Sequence, residues 1–388
     1  VSGEGYFVDT SSSAITATLP ASPSAGDIVY VKDYGGDFAT NNLTVARNGS
    51  NIRGSASNFK FENNNSGGVF IYVDATEGWQ FFADGSDTDV KAAYVDASGG
   101  TITTCGNCKI HTFTGPGTFT VNQLADDSSN NVVSYIVVAG GGGGGNGDNT
   151  GGGGAGGFRE DKSPVTPYTA SPLDGAGAIT ATVTSYPITV GSGGAGSSSG
   201  PAAAGGRGCN GSNSVFSTIT AAGGGGGGGG RPCAPDQGKN GGSGGGSGHQ
   251  NTSSTGSGNQ PPVSPAQGKN GGFGAGPTSG PQYVGGGGGG ATVAGTDGTP
   301  TGGGTGGAGA TTSISGSPTA YAGGGGAGSE SLNTPGGAGG GGNGRCNSNP
   351  GCNGTANTGG GGGGTGCGTP RTGGNGGSGV VIIRYKFQ

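Results

Sequence analysis

The stretch Val132-Val133-Ser134-Tyr135-Ile136-Val137-Val138-Ala139 runs straight into Gly140-Gly141-Gly142-Gly143-Gly144-Gly145. The β-branched and aromatic run reads as a buried strand. The glycines after it have no side-chain pattern to read. The same change of chemistry divides the whole chain. Of its 105 glycines, 16 fall in residues 1–138 and 89 in residues 139–388.

Glycine tracts recur at 140–145, 151–157, 191–196, 223–230, 241–248, 285–290, 302–309, 323–328, 336–344, 359–364 and 373–379. Ala, Ser, Thr and Asn supply nearly all the interruptions. An α-helix is disfavoured, because each interior glycine costs about 1 kcal/mol relative to alanine. Composition alone matches low-complexity disorder. Yet a string of flexible linkers on this scale would leave no domain. The remaining conformation is the extended polyproline-II-type helix, with three residues per turn and about 3.1 Å rise. It has no internal hydrogen bonds, so every buried N–H and C=O needs a lateral partner. Six to eight residues would span roughly 19–25 Å. Such an array needs a nucleus. The strand signals at 132–138 and 380–387 (Val380-Val381-Ile382-Ile383-Arg384-Tyr385-Lys386-Phe387) are expected to lie side by side and clamp it. The repeat Gln237-Gly238-Lys239-Asn240-Gly241-Gly242, recurring as Gln267-Gly268-Lys269-Asn270-Gly271-Gly272, also favours a built lattice.

Residues 1–138 read as all-β, with short strands near 5–8, 14–19, 27–32, 43–47, 59–62, 69–74 and 79–83. Tyr34-Gly35-Gly36-Asp37, Asn48-Gly49 and Asn63-Asn64-Asn65-Ser66-Gly67-Gly68 supply turns. The expected architecture is N-terminal β-sandwich-like modules (1–86, a stalk and oligomerisation module, then 87–139), followed by a polyglycine-II slab over 140–388. So thin a core in 1–86 would gain from oligomerisation. The segment Asp84-Gly85-Ser86-Asp87-Thr88-Asp89 reads as a linker; it lacks the residue order of a calcium loop.

Several classes are excluded. No stretch approaches the roughly 20 apolar residues of a membrane helix, and no strict Gly-X-Y repeat exists. A net charge of −5 argues against nucleic acid and anionic lipid as partners. Two histidines, His111 and His249, leave little for acid–base or metal chemistry. Gly238-Lys239 and Gly268-Lys269 lack the spacing of a phosphate loop. Paired carboxylates for a glycan hydrolase are missing beyond Asp174. No cofactor, metal or catalytic residue is expected. The first residue is Val, which points to a processed chain or a piece of a longer one.

Three groups of markers carry a resemblance. The first is Gly5-Tyr6-Phe7-Val8-Asp9-Thr10, with residues 15–27 and 41–52. The second is Lys109-Ile110-His111-Thr112-Phe113-Thr114. The third is Tyr135-Ile136-Val137-Val138-Ala139 entering glycine, with Val380-Val381-Ile382-Ile383-Arg384-Tyr385 leaving it. Together they resemble tail fibre proteins of marine bacteriophages and adhesins built from polyglycine-II sandwiches. The resemblance implies a non-enzymatic extracellular or virion fibre whose tip loops contact a bacterial surface glycan or protein, assembled as a homo-oligomer.

Cysteine departs from that pattern. Cys105 and Cys108 form a CxxC without an expected helix or a second CxxC, so a local structural disulfide is the reading. Cys346 with Cys352, and Cys209 with Cys233, are candidate staples, leaving Cys367 over. Seven cysteines in a thin core favour an oxidising setting. They raise a rival reading, a secreted, disulfide-stabilised, self-assembling fibril; a closed trimer along residues 1–86 would mark the fibre, an open helical polymer the fibril. His111 sits in an expected strand and reads as structural. Polar loops on a rigid scaffold are where binding resides. The loops 231–240, 249–270, 277–284, 332–335, 345–358 and 369–372 are therefore candidates, with Tyr283, Arg371, His249 and Arg231 as contact residues. His249, in a Ser/Thr/Asn/Gln loop, is expected to be exposed. Six Asn-x-Ser/Thr sequons (at Asn42, Asn48, Asn64, Asn210, Asn251 and Asn353) matter only in a glycosylating host.

Overall fold

A computed structural model describes residues 2–84, 94–198, 206–230, 236–249, 251–276, 283–346, 349–367 and 372–388. The fold is mostly β, in several small sheets, with only a 3-10 turn at Ser128–Asn131 as helix among the described residues. The chain forms two compact units, Val1–Tyr94 with Leu124–Ser128, and Val95–Gln123 with Ser129–Gln388.

The first unit holds two sheets. One orders Glu4–Val8, Ile28–Asp33, Gly67–Asp74 and Gly78–Ala83; the other orders Ile15–Thr18, Leu43–Ala46 and Phe59–Phe61. Their inner faces close on Phe38, Phe59, Phe61, Phe70, Trp79 and Phe81. Phe59 meets Phe70 edge-on at 5.2 Å, a geometry that adds about 1 kcal/mol beyond area burial. Alternation sends the other side chains outward. Phe7 is 71% exposed, Phe82 58% and Ile28 42%.

In the second unit Val132–Val138 and Val380–Lys386 pair antiparallel, from Ser134 opposite Arg384 to Val138 opposite Val380. This is the pairing expected from sequence. Cys108–Phe113 lies on the other side of Val380–Lys386, which is why residues 95–123 fold with the glycine-rich segment. The sheet is completed by Phe158–Asp161, Ile179–Thr180 and Thr101–Cys105. A second sheet joins Ile219–Ala221, Ser214–Phe216, Ser185–Thr189, Gly117–Gln123 and Asp96–Ser98.

Glycine tracts leave and enter these strands. Residues 139–145 extend from Val132–Val138, and 151–157 return antiparallel into Phe158–Asp161. The N–H groups of Ala139, Gly142 and Gly145 donate to the carbonyls of Gly157, Gly154 and Gly151 at 3.0, 2.8 and 3.1 Å. Donors to one neighbour thus recur every third residue. The intervening residues serve other tracts. Gly151, Gly154 and Gly157 donate to Gly228, Gly225 and Ala222; Gly152 and Ala155 to Gly286 and Gly289; Gly153 and Gly156 to Gly362 and Gly359, all within 2.8–3.1 Å. Three further neighbours donate back: Gly142 to Gly154, Gly246 to Gly152, and Gly325 to Gly153. One tract therefore has six neighbours and a nearly complete backbone account.

That spacing explains the composition. A Cβ on Gly153 would lie 2.1 Å from the Gly142 carbonyl oxygen, and one on Gly361 2.0 Å from that of Gly153. Only a backbone without side chains packs this close. Side chains return where the tracts meet the sheet. There Ile136, Val138, Ala155, Phe158, Ala291, Ala322 and Val380 form one apolar cluster.

Candidate functional site

The tracts have a sheet end and a far end. Residues 139–145 leave Val132–Val138, and 222–230 leave Ile219–Ala221. Residues 322–328 leave Thr319–Tyr321, and 372–379 run into Val380–Lys386. Their opposite ends therefore lie away from the sheet, and polar turns connect them there. Single bridges link Ala275 to Val284, Val284 to Ser329 and Ser329 to Cys346 across this end. The Asn149 amide donates to Cys367 Sγ at 3.3 Å. Val284 and Cys346, from the candidate loops 277–284 and 345–358, are thus brought together through Ser329.

Two of the four contact residues meet. The rings of His249 and Tyr283 pack edge to face at 5.2 Å. His249 Nδ1 lies 2.9 Å from the Asp148 carbonyl oxygen, consistent with an N–H donor there. His249 is only 3% exposed, which corrects the expectation of an exposed residue. A ring and a carbonyl from distant turns cover it. It supports Tyr283 rather than facing solvent. Arg231 and Arg371 lie outside the described residues, as does Cys233.

Cys105, Cys108, Cys209 and Cys352 are thiols. Cys105 and Cys108 face each other across the two-residue turn joining Thr101–Cys105 to Cys108–Phe113. Cys352 Sγ instead accepts Arg345 Nε–H at 3.1 Å.

That contact belongs to a shallow concavity of about 580 Å³ lined by Arg345, Pro350, Gly351, Asn353, Thr372 and Asn375 among others. Its amides are already half used. Asn353 Oδ1 accepts the Asn375 N–H at 2.9 Å, and Asn375 Oδ1 accepts the Gly196 N–H at 2.8 Å. The same device recurs around the tracts. Asn210 Oδ1 takes the Gly226 N–H, Asn240 that of Ser257, Asn270 that of Gly258 and Asn343 that of Gly336. Each amide oxygen stands in for the carbonyl of an absent neighbouring tract. Sequence reasoning missed these residues, although the signal is present: each of the six directly precedes a glycine.

Titratable groups near the sheet are structural. His111, expected as such, is buried; its Nδ1 lies 2.7 Å from the Gly99 oxygen and its Nε2 3.1 Å from Tyr385 Oη. Burial pushes its pKa down. Glu160 is fully buried, accepting from Ser171 N–H at 2.9 Å and Thr312 Oγ1–H at 2.6 Å. Burial pushes its carboxyl up. Asp84, at the start of the linker segment, pairs with Lys32 at 2.6 Å; residues 85–89 lie outside the described residues. Among the described residues, no group of three or more His, Cys, Asp or Glu is placed to hold a metal ion.

Residues 112–386 match the model of a glycine-rich domain family. No curated protein matches the chain.

Proposed function

Because the chain belongs to the glycine-rich domain family, we propose that its tracts form a polyglycine-II array, a rigid head carrying recognition loops. The three-residue rotation of donors supports this, since three residues per turn is the repeat of that helix. The protein acts as a non-enzymatic extracellular or virion fibre adhesin. Its β unit serves as stalk, and the far-end turns of the head contact a bacterial surface receptor.

One observation carries this reading: polar turns widely separated in sequence gather at the tract end opposite the sheet. A scaffold held by backbone hydrogen bonds leaves such turns free to vary without disturbing the core. The outward Phe7, Ile28 and Phe82 support self-association of the stalk, as apolar surface of this kind favours a partner.

The test is binding of fluorescently labelled full-length protein to a panel of bacterial cells, with particle symmetry read by electron microscopy. Saturable binding to some strains, lowered by Tyr283→Ala, is expected, from closed oligomers. Open helical polymers without cell binding would overturn the adhesin reading in favour of the fibril.

A further inference from the structure

The concavity lined by Arg345, Pro350, Asn353, Thr372 and Asn375 has a one-sided chemistry. Asn353 and Asn375 have their amide oxygens turned into the tracts. The planar amide then points each Nδ2 away from the bond its oxygen makes. Arg345 is held by Nε–H to Cys352 Sγ at 3.1 Å and its N–H to the Gly364 oxygen at 3.1 Å. Its guanidinium keeps further donors, and it forms no ion pair among the described residues. Thr372 adds a hydroxyl to the lining. The rim thus offers donors and a fixed positive charge.

The surroundings match. No Asp or Glu occurs anywhere in residues 331–388, although the whole chain carries a net charge of −5. The neighbouring tract at 191–197 has none either. Gly351 and Gly373 are part of the lining, so a sugar ring can approach bare backbone there. Pro350 is the largest apolar side chain of the lining, which leaves nothing to hold a hydrophobic peptide anchor.

We propose that this concavity binds a carboxylated sugar unit of an acidic surface polysaccharide. The carboxylate sits at Arg345, and the Asn353 and Asn375 amides donate to ring hydroxyl or carboxylate oxygens. A guanidinium presents paired donors that match a carboxylate. The inference rests on the adhesin reading and names its ligand chemistry.

The test is calorimetric titration of the full-length protein with an oligogalacturonate, against a neutral galactose oligomer of equal length. Binding of the acidic oligomer alone, weakened by 0.5 M salt, is expected. Arg345→Gln should lower affinity about tenfold or more, since a hydrogen bond to a charged group is worth that much. Asn353→Asp is the sharper variant. It keeps the oxygen that caps Asn375 N–H, removes the NH2 donor and adds repulsion. It should abolish binding while leaving the melting temperature unchanged. Equal binding of both oligomers, or unaltered affinity in Arg345→Gln and Asn353→Asp, would overturn the proposal. No oligogalacturonate binding, with whole-cell adhesion intact in both variants, would overturn it too and leave the adhesin reading standing.

Discussion

Gly153→Ala is the most direct probe of the tract lattice. The new Cβ would sit 2.1 Å from the Gly142 oxygen and 2.7 Å from its carbonyl carbon. These are backbone atoms, so no side chain can swing aside. Relief requires the tract at 151–157 to move away from 139–145 by about an ångström, to reach ordinary contact. That motion breaks the bonds from Ala139, Gly142 and Gly145 to Gly157, Gly154 and Gly151. All six residues are buried. Three bonds lost, with groups left buried and unsatisfied, cost about 3–6 kcal/mol. Unfolding entropy near 2.1 cal/mol/K per residue, over a unit of about 290 residues, converts this to a fall of about 5–10 °C in Tm.

Gly302→Ala is the matched control. It sits in the tract at 302–309, yet no heavy atom lies within 4 Å of its added Cβ. Its φ is not among the positive values. Alanine there restricts only the unfolded chain and should stabilise by about 0.4–1 kcal/mol. The two variants therefore shift Tm in opposite directions, measured by circular dichroism melting. A Gly153→Ala protein melting with the parent would refute the claim that backbone contact fixes the spacing. So would equal falls in both variants.

Three further outcomes rest on particular contacts. Burial lowers the His111 pKa below its ordinary value of 6.5, so its neutral form is favoured in the fold. The contribution is fully present above about pH 6.5 and is lost as pH falls through the depressed folded-state value. Urea midpoints taken from pH 7.5 to 4.5 should show this loss, and His111→Gln should flatten it; a parallel slope in the variant would count against the assignment. Asn343→Ala should cost about 1 kcal/mol by exposing the Gly336 N–H, whereas Asn343→Asp should not, as read from denaturant midpoints. Iodoacetamide labelling and mass spectrometry should find exposed Cys209 modified first, and buried Cys108 only after unfolding. Early loss of Cys108 would contradict its placement.

The strands were legible because their residues carry side chains. The run at 132–138 and the run at 380–387 are both strongly apolar, and they pair as that pattern demands. The tracts were legible only in aggregate. Sequence showed that backbone must replace side chains, but glycine encodes no neighbour. Nothing in Gly151-Gly152-Gly153 says that successive amides serve Gly228, Gly286 and Gly362. The burial of His249 was illegible for a related reason. The carbonyl that covers it lies 101 residues away, at Asp148. The local Ser/Thr/Asn/Gln composition describes the turn before it is folded over.

Asparagine resolves a problem that the lattice creates at its boundary. A tract with six neighbours has its backbone satisfied; a tract at the surface lacks some of them. Its outward N–H groups then resemble the unpaired edge of a sheet, which invites association. A three-residue repeat turns every third position outward, so a side chain there meets no backbone. Asparagine at such a position reaches the adjacent tract and offers one acceptor, as Asn210, Asn240, Asn270, Asn343, Asn353 and Asn375 do. Serine does the same in places, as Ser378 Oγ takes the Asn357 N–H at 2.9 Å, whereas aspartate would line the surface with repelling charge. The amide has a second consequence. Once its oxygen is committed inward, its NH2 is directed elsewhere: Asn210 spends it on the Asn240 carbonyl at 3.1 Å, and at the other five positions closing the lattice adds a donor to the surface. The donor surface and the closed edge are therefore one feature, and a surface rich in Asn–Gly steps results from the backbone packing beneath it.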